Sequence, residues 1–130
     1  MYDIIKNPEF SDKKILVVED DETSYLIVNE LLSEYGAMMV HARSARQAIE
    51  LYKEQNDFDL IVMDIRLPEM NGVDVAKTIR EMGGKTPMIA QTACKAEDIK
   101  DLSPGEVFHR IFIKPYDFDD FLKTVKAFLN

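Results

Sequence analysis

The chain reads as a doubly wound α/β domain, a five-stranded parallel sheet with helices on both faces, and three observations carry that reading. Short runs that are apolar at nearly every position alternate with segments of helical period, and four of the five runs end on carboxylate, hydroxyl or ammonium side chains. A length of 130 residues leaves room for one domain with a single core. Strands apolar throughout belong to a parallel sheet covered on both faces, and right-handed crossovers then wind the helices onto both sides.

Residues 1–12 fall outside the alternation and read as an N-terminal extension or linker in which a short helix can form, with the domain running from 13 to 130. Ile15-Leu16-Val17-Val18 is a buried strand that breaks into Glu19-Asp20-Asp21-Glu22. From Thr23 the period changes: Ile27, Val28, Leu31, Leu32 and Tyr35 share a helical face, and Gly36 supplies the stop. Met38-Met39-Val40 is a second short strand, followed by a capping box, Ser44 with Gln47, that opens a helix with Ala45, Ala48, Ile49 and Tyr52 inward. Leu60-Ile61-Val62-Met63 ends in Asp64, and the turn residues Leu67-Pro68 and Asn71-Gly72 lead to a helix carrying Val73, Val75, Ala76, Ile79 and Met82. Pro87-Met88-Ile89-Ala90 is the fourth strand, ending at Gln91-Thr92, and the helix after it is short because Ser103-Pro104-Gly105 interrupts it. Arg110-Ile111-Phe112-Ile113 is the fifth strand, and Asp117 caps a last helix with Phe118, Phe121, Leu122, Val125 and Leu129 on its face.

Apolar residues at 46% and charged residues at 31% exclude a disordered or low-complexity chain. A net charge of −8 argues against direct nucleic acid binding and against attraction to anionic lipid. One cysteine, Cys94, forms no internal disulfide, and with only two histidines the chain falls short of a zinc site, which fits a reducing compartment. No apolar run approaches the 18 or so residues that span a bilayer, and Met1 to Lys6 lack a secretory pattern, so the cytoplasm is the expected location.

In an open α/β sheet the ligand site lies beyond the carboxyl ends of the strands, where the winding reverses. There the sequence places Glu19 and Asp20, Asp64, Thr92 and Lys114. Like charges about 4 Å apart repel by roughly 4 kcal/mol at an effective dielectric near 20, so the three carboxylates call for a cation. Oxygen-only donors in a half-open site suit Mg²⁺ better than Ca²⁺ or Zn²⁺. With Lys114 and Thr92 beside it, such a site reads as a phosphoacceptor built on Asp64.

The segments Ile15 to Asp21, Asp59 to Gly72, Thr86 to Ala93 and Ile113-Lys114-Pro115 closely resemble the receiver domain of bacterial two-component response regulators, over about Lys13 to Leu129. The resemblance implies a flavodoxin-like sheet of order 2-1-3-4-5. It implies that Asp64 is the phosphorylated aspartate, Asp20 the direct Mg²⁺ ligand and Glu19 its acidic partner, with the main-chain carbonyl of Arg66 as third protein ligand. Thr92 would hold the phosphoryl oxygen, Lys114 would pair with it, and the peptide bond before Pro115 would be cis. The donor would be a phosphohistidine on a sensor histidine kinase or a histidine phosphotransfer protein.

The chain departs from the family at Ile111, where receivers usually carry the Tyr or Phe whose rotation couples to the hydroxyl residue. Phe112 points to the opposite face of the strand and is no simple substitute. The short fourth helix and Val107-Phe108 alter the same surface, which disfavours dimerisation through it and favours a monomer. Asp21 and Glu22 read as helix-start charges, His41 and His109 as ordinary strand-edge or loop residues, and the seven methionines as core packing apart from a surface Met70. Cys94 reads as a small, partly buried residue, with a position that resembles one flanking the phosphoryl group. A receiver-like module that binds a partner without phosphorylation is the alternative. An aspartyl phosphatase would want an acid where Arg66 stands, and the acidic turn at Glu19 to Glu22 would repel a flavin phosphate. The Glu19 to Tyr25 and Pro68 to Gly72 segments look more like receivers of hybrid kinases than free-standing ones.

Overall fold

The computed structural model describes residues 8–93 and 107–130. Its sheet has five parallel strands, β1 (Lys14–Val18), β2 (Met38–Ala42), β3 (Leu60–Asp64), β4 (Met88–Thr92) and β5 (Arg110–Ile113), in the order β2-β1-β3-β4-β5. Four helices are described: α1 (Glu22–Ser33), α2 (Ala45–Glu54), α3 (Gly72–Glu81) and α4 (Phe118–Leu129). The short helix expected before β5, and Cys94 with it, lie outside the described residues.

Alternate strand residues feed two cores, which is why the strands lack a polar face. Leu16, Val18, Ile61, Met63, Met88 and Ala90 pack against α2 and α3 through Ala48, Tyr52, Val75 and Ile79. Ile15, Val17, Leu60, Val62 and Ile89 pack on the other side against Val28 and Leu32 of α1 and Phe121 and Val125 of α4. Ile111 and Phe112 divide between these two cores as strand alternation requires.

Each described helix starts at an oxygen-bearing cap. Asp21, Ser44, Asn71 and Asp117 accept from the backbone N–H of Ser24, Gln47, Val73 and Asp119. At α2 the capping box is shifted by one residue, because the Gln47 amide oxygen accepts from Arg43 N rather than from Ser44 N.

Several side chains expected in the core face outward. Ile27, Met38, Met82 and Phe118 are 43%, 61%, 38% and 49% exposed, so the inward stripe of α1 rests on Val28 and Leu32 and that of α4 begins at Phe121. Met82 follows the last residue of α3, where the chain turns through Gly83 at a positive φ of 87°.

Residues 8–12, left outside the alternation as a linker, are packed. Pro8–Phe10 form a 3-10 turn, Phe10 is fully buried, and its N–H donates to Tyr35 O at 2.8 Å. Glu9 meets Lys126 of α4 at 3.7 Å and accepts a hydrogen bond from the Asn130 amide. A single aromatic amid polar neighbours gave no periodic signal of this.

Candidate functional site

The winding reverses between β1 and β3, and the strand register sets the pocket there. Val18 pairs with Met63, so Glu19 follows β1 beside Asp64, the last residue of β3. Asp64 pairs with Gln91, Thr92 with Ile113, and Lys114 comes next after β5. Oxygens of Glu19, Asp20 and Asp64 lie within 4.8 Å of one another, with Glu19 and Asp64 buried and Asp20 exposed.

Lys114 partly neutralises the cluster. Its Nζ donates to Glu19 Oε1 at 2.8 Å and lies 3.9 Å from Asp64 Oδ2, so in this arrangement the ammonium favours Glu19. Asp64 Oδ1 accepts from Arg66 N at 3.0 Å. Burial, then the hydrogen bond and charge of Glu19, push the Asp64 carboxyl up to about 7, against the opposing pull of Lys114 and Arg66 N. Thr92 is fully buried at the end of β4, and its carbonyl accepts from Lys114 N at 2.7 Å. The Lys114–Pro115 peptide bond is cis.

The turn after β3 is tightened by a close approach. Gly72 N donates to Ile65 O at 2.7 Å, and a Cβ at Gly72 would stand 2.2 Å from the carbonyl oxygen of Asp64. The N-terminus of α3 therefore lies directly behind the Asp64 end of β3. Asp21 and Glu22 serve the helix start as expected. The Ser24 N–H holds the Asp21 carboxyl below its usual range, and Glu22 pairs with Arg43 at 3.2 Å.

Three side chains at the pocket were not singled out in the sequence as part of it. Gln91 is fully buried, its Nε2 faces Glu19 Oε1 at 3.5 Å, and its Oε1 accepts from Tyr116 OH at 2.6 Å. Burial and the Glu19 charge push the Tyr116 phenol up to about 12. An amide before the last residue of a fully buried interior strand was the available signal, because a buried amide must find partners. The third is His41. It lies on edge strand β2 as expected but is no bystander, since its Nε2 donates to the carbonyl of Glu19 at 2.7 Å. His109, by contrast, accepts from Met88 N at 3.2 Å and packs edge-on to Phe128, a structural role.

A parallel α/β sheet with buried carboxylates, a buried hydroxyl residue and an ammonium at its switch point defines a phosphoryl-acceptor type of signalling domain rather than a nucleotide or flavin binder, whose first turn would have to admit a phosphate. A family profile described as the response regulator receiver domain matches residues 15–126, and the chain belongs to that family. It is 35% identical over 117 residues to the transcriptional regulatory protein ZraR of Escherichia coli K12, covering 88% of this chain and 26% of ZraR. It is 30% identical over 120 residues to the polar-differentiation response regulator DivK of Brucella ovis, covering 91% of this chain and 97% of DivK. The autoinducer 1 sensor kinase/phosphatase LuxN of Vibrio campbellii matches at 33% identity over 68% of this chain and 10% of its own length. The chain thus spans about a quarter of ZraR and nearly the whole of DivK. Among solved structures, the response regulator TrrA of Thermotoga maritima in complex with Mg²⁺–BeF superposes with a TM-score of 0.79 at 29% identity, covering 89% of this chain and 98% of TrrA.

Receiver domains are phosphoacceptor switches of two-component signalling that bind Mg²⁺ at an acidic pocket and interact with histidine kinases or phosphotransfer proteins. Among the described residues, no helix is long and apolar enough to cross a membrane.

Proposed function

We propose that this chain accepts a phosphoryl group on Asp64 from a phosphohistidine, with Mg²⁺ held by Glu19, Asp20, Asp64 and the main-chain carbonyl of Arg66. The observation that carries this reading is the convergence of three carboxylates within 4.8 Å, with the Asp64 carboxyl raised to about 7 by burial and by Glu19. An all-oxygen donor set whose repulsion Lys114 relieves only in part fits a hard divalent cation. Bound there, Mg²⁺ would neutralise charge on the transferring phosphoryl oxygens.

The chain's own residues do the rest. An Asp64 oxygen attacks phosphorus in line, the bond from phosphorus to the donor imidazole nitrogen breaks, and an acyl phosphate remains. The Arg66 N–H fixes the other carboxylate oxygen. Lys114, 3.9 Å away, moves from Glu19 towards the phosphoryl group. The Thr92 hydroxyl turns to a phosphoryl oxygen, and these new contacts shift the domain between two conformations.

The donor approaches over α1 and the turn after β5. There Leu26, Ile27 and Phe118 are 51%, 43% and 49% exposed, and Ser24, Ile27, Tyr116 and Phe118 line a groove of about 370 Å³ that reaches Lys114. A net charge of −8 supports action without direct nucleic acid contact, and on this reading the chain works in the cytoplasm as a monomer.

The test is intact mass after incubation with acetyl phosphate, with and without Mg²⁺, for wild type and Asp64→Asn. One Mg²⁺-dependent phosphoryl adduct confined to the wild type supports the reading. An adduct that persists in the variant refutes Asp64 as acceptor. No adduct, together with no beryllofluoride binding, favours a partner-binding module that works without phosphorylation.

A further inference from the structure

Resting on the acceptor reading, we infer that His41 is a positioning residue for the acidic pocket, its Nε2–H fixing the peptide that carries Glu19 into Asp20. The backbone ladder between β1 and β2 ends with Val18 opposite Ala42 and one last rung from Glu19 N to Ala42 O at 3.0 Å. Beyond that rung the Glu19 carbonyl has left the sheet. His41, paired in register with Val17, reaches up from β2 and donates to that carbonyl at 2.7 Å. A carbonyl only accepts, so the contact assigns the proton to Nε2.

The imidazole is itself held in place. Tyr25 of α1 stacks on it with ring centroids 3.6 Å apart and planes 2° from parallel, and the Tyr25 hydroxyl donates to Asn29 Oδ1 at 3.2 Å. One ring thus joins edge strand β2, helix α1 and the turn between β1 and α1 that presents two of the three carboxylates. The Glu19 to Asp20 peptide plane determines where the Asp20 side chain leaves the backbone, so a bond to its carbonyl sets the spacing of the oxygen cluster.

Packing alone does not account for a histidine here. With the proton on Nε2, Nδ1 is a buried acceptor that has no partner among the described residues, which disfavours the fold. A phenyl ring would keep the stack on Tyr25 and remove that orphan atom. What the imidazole adds is the donation to Glu19.

His41→Phe and His41→Gln separate the two roles. Phenylalanine keeps the ring and loses the donor, whereas the Gln Nε2 lies as many bonds from Cα as the His Nε2. The expected result is that His41→Phe melts no lower than wild type but binds Mg²⁺ about fivefold to tenfold more weakly by calorimetry, the low end for losing an outer partner of a metal site. His41→Gln should recover affinity to within about twofold. In metal-free wild type, nitrogen-15 spectra should place the proton on Nε2 and show a coupling through the hydrogen bond to the Glu19 carbonyl carbon. Unchanged Mg²⁺ affinity in His41→Phe, equal losses in both variants, a melting loss that parallels the affinity loss, or a proton on Nδ1 would each overturn the inference. A wild type that takes up neither Mg²⁺ nor phosphoryl overturns the acceptor reading itself, a result distinct from any variant failing beside an active wild type.

Discussion

Replacing Asp64 with Asn should stabilise the metal-free protein at pH 8, and Mg²⁺ should reverse the order. Asp64 has its carboxyl raised from 3.8 to about 7 in the fold, so the folded state binds that proton more tightly than the unfolded chain. Above pH 7 the ionised carboxylate therefore subtracts from stability. The deficit is relieved as pH falls through 7 and is gone below about 4. Some three units correspond to a ceiling of about 4 kcal/mol, and the cluster opens to solvent at the exposed Asp20, which roughly halves it to about 2 kcal/mol. For a domain of this size that is an increase of about 6–10 °C in Tm. Urea titrations of both proteins at pH 5, 6, 7 and 8 in chelator would measure it. The gap should shrink to less than about 1 kcal/mol at pH 5, because the wild type there carries a largely protonated Asp64. In excess Mg²⁺ the wild type should gain stability by mass action while the variant, short of one ligand, gains little. An Asn variant no more stable than wild type at pH 8 in chelator, or a gap independent of pH, would refute the reasoning.

Other outcomes follow from the same geometry. Lys114→Met removes a cation 2.8 Å from Glu19 and 3.9 Å from Asp64, so Mg²⁺ affinity at pH 8 should rise about threefold or more while phosphoryl transfer slows; calorimetry and intact mass read the two separately. Gly72→Ala places a Cβ against the Asp64 carbonyl, and either α3 or the acceptor strand end must shift, with a loss of at least about 2 kcal/mol and weaker Mg²⁺ binding; a variant unchanged in both would contradict the close approach. Phe10→Ala empties a fully buried aromatic site and should cost about 3–5 kcal/mol by urea titration, yet leave Mg²⁺-dependent labelling intact at temperatures where the domain stays folded.

The strands and the pocket carboxylates were legible because two-sided burial writes an unbroken apolar run, and a parallel sheet delivers the next residue of each run to one edge. Asp64, Thr92 and Lys114 could be found by locating the ends of apolar runs. Ile27 and Phe118 misled because periodicity marks an apolar face without stating that anything covers it. They flank a groove rather than fill a core. Gln91, Tyr116 and His41 escaped for another reason. Their contacts join residues 25, 22 and 72 positions apart, and only the registers of β1 on β2 and β3, of β3 on β4 and of β4 on β5 bring such pairs together. Phe10 was missed because a lone buried aromatic before the first strand has no period to betray it.

The clasp of Glu9 with Lys126 and Asn130 fixes where chain can be joined to this domain. Both ends of the packed body meet at the amino edge of the sheet, a strand's length, roughly 15 Å, below the carboxylates. A fused neighbour on either side, or a linker closing residue 130 onto residue 8 in a circular permutant, would hang from the far pole and leave the carboxylate pocket uncovered. The domain is built like a plug with both leads at the back.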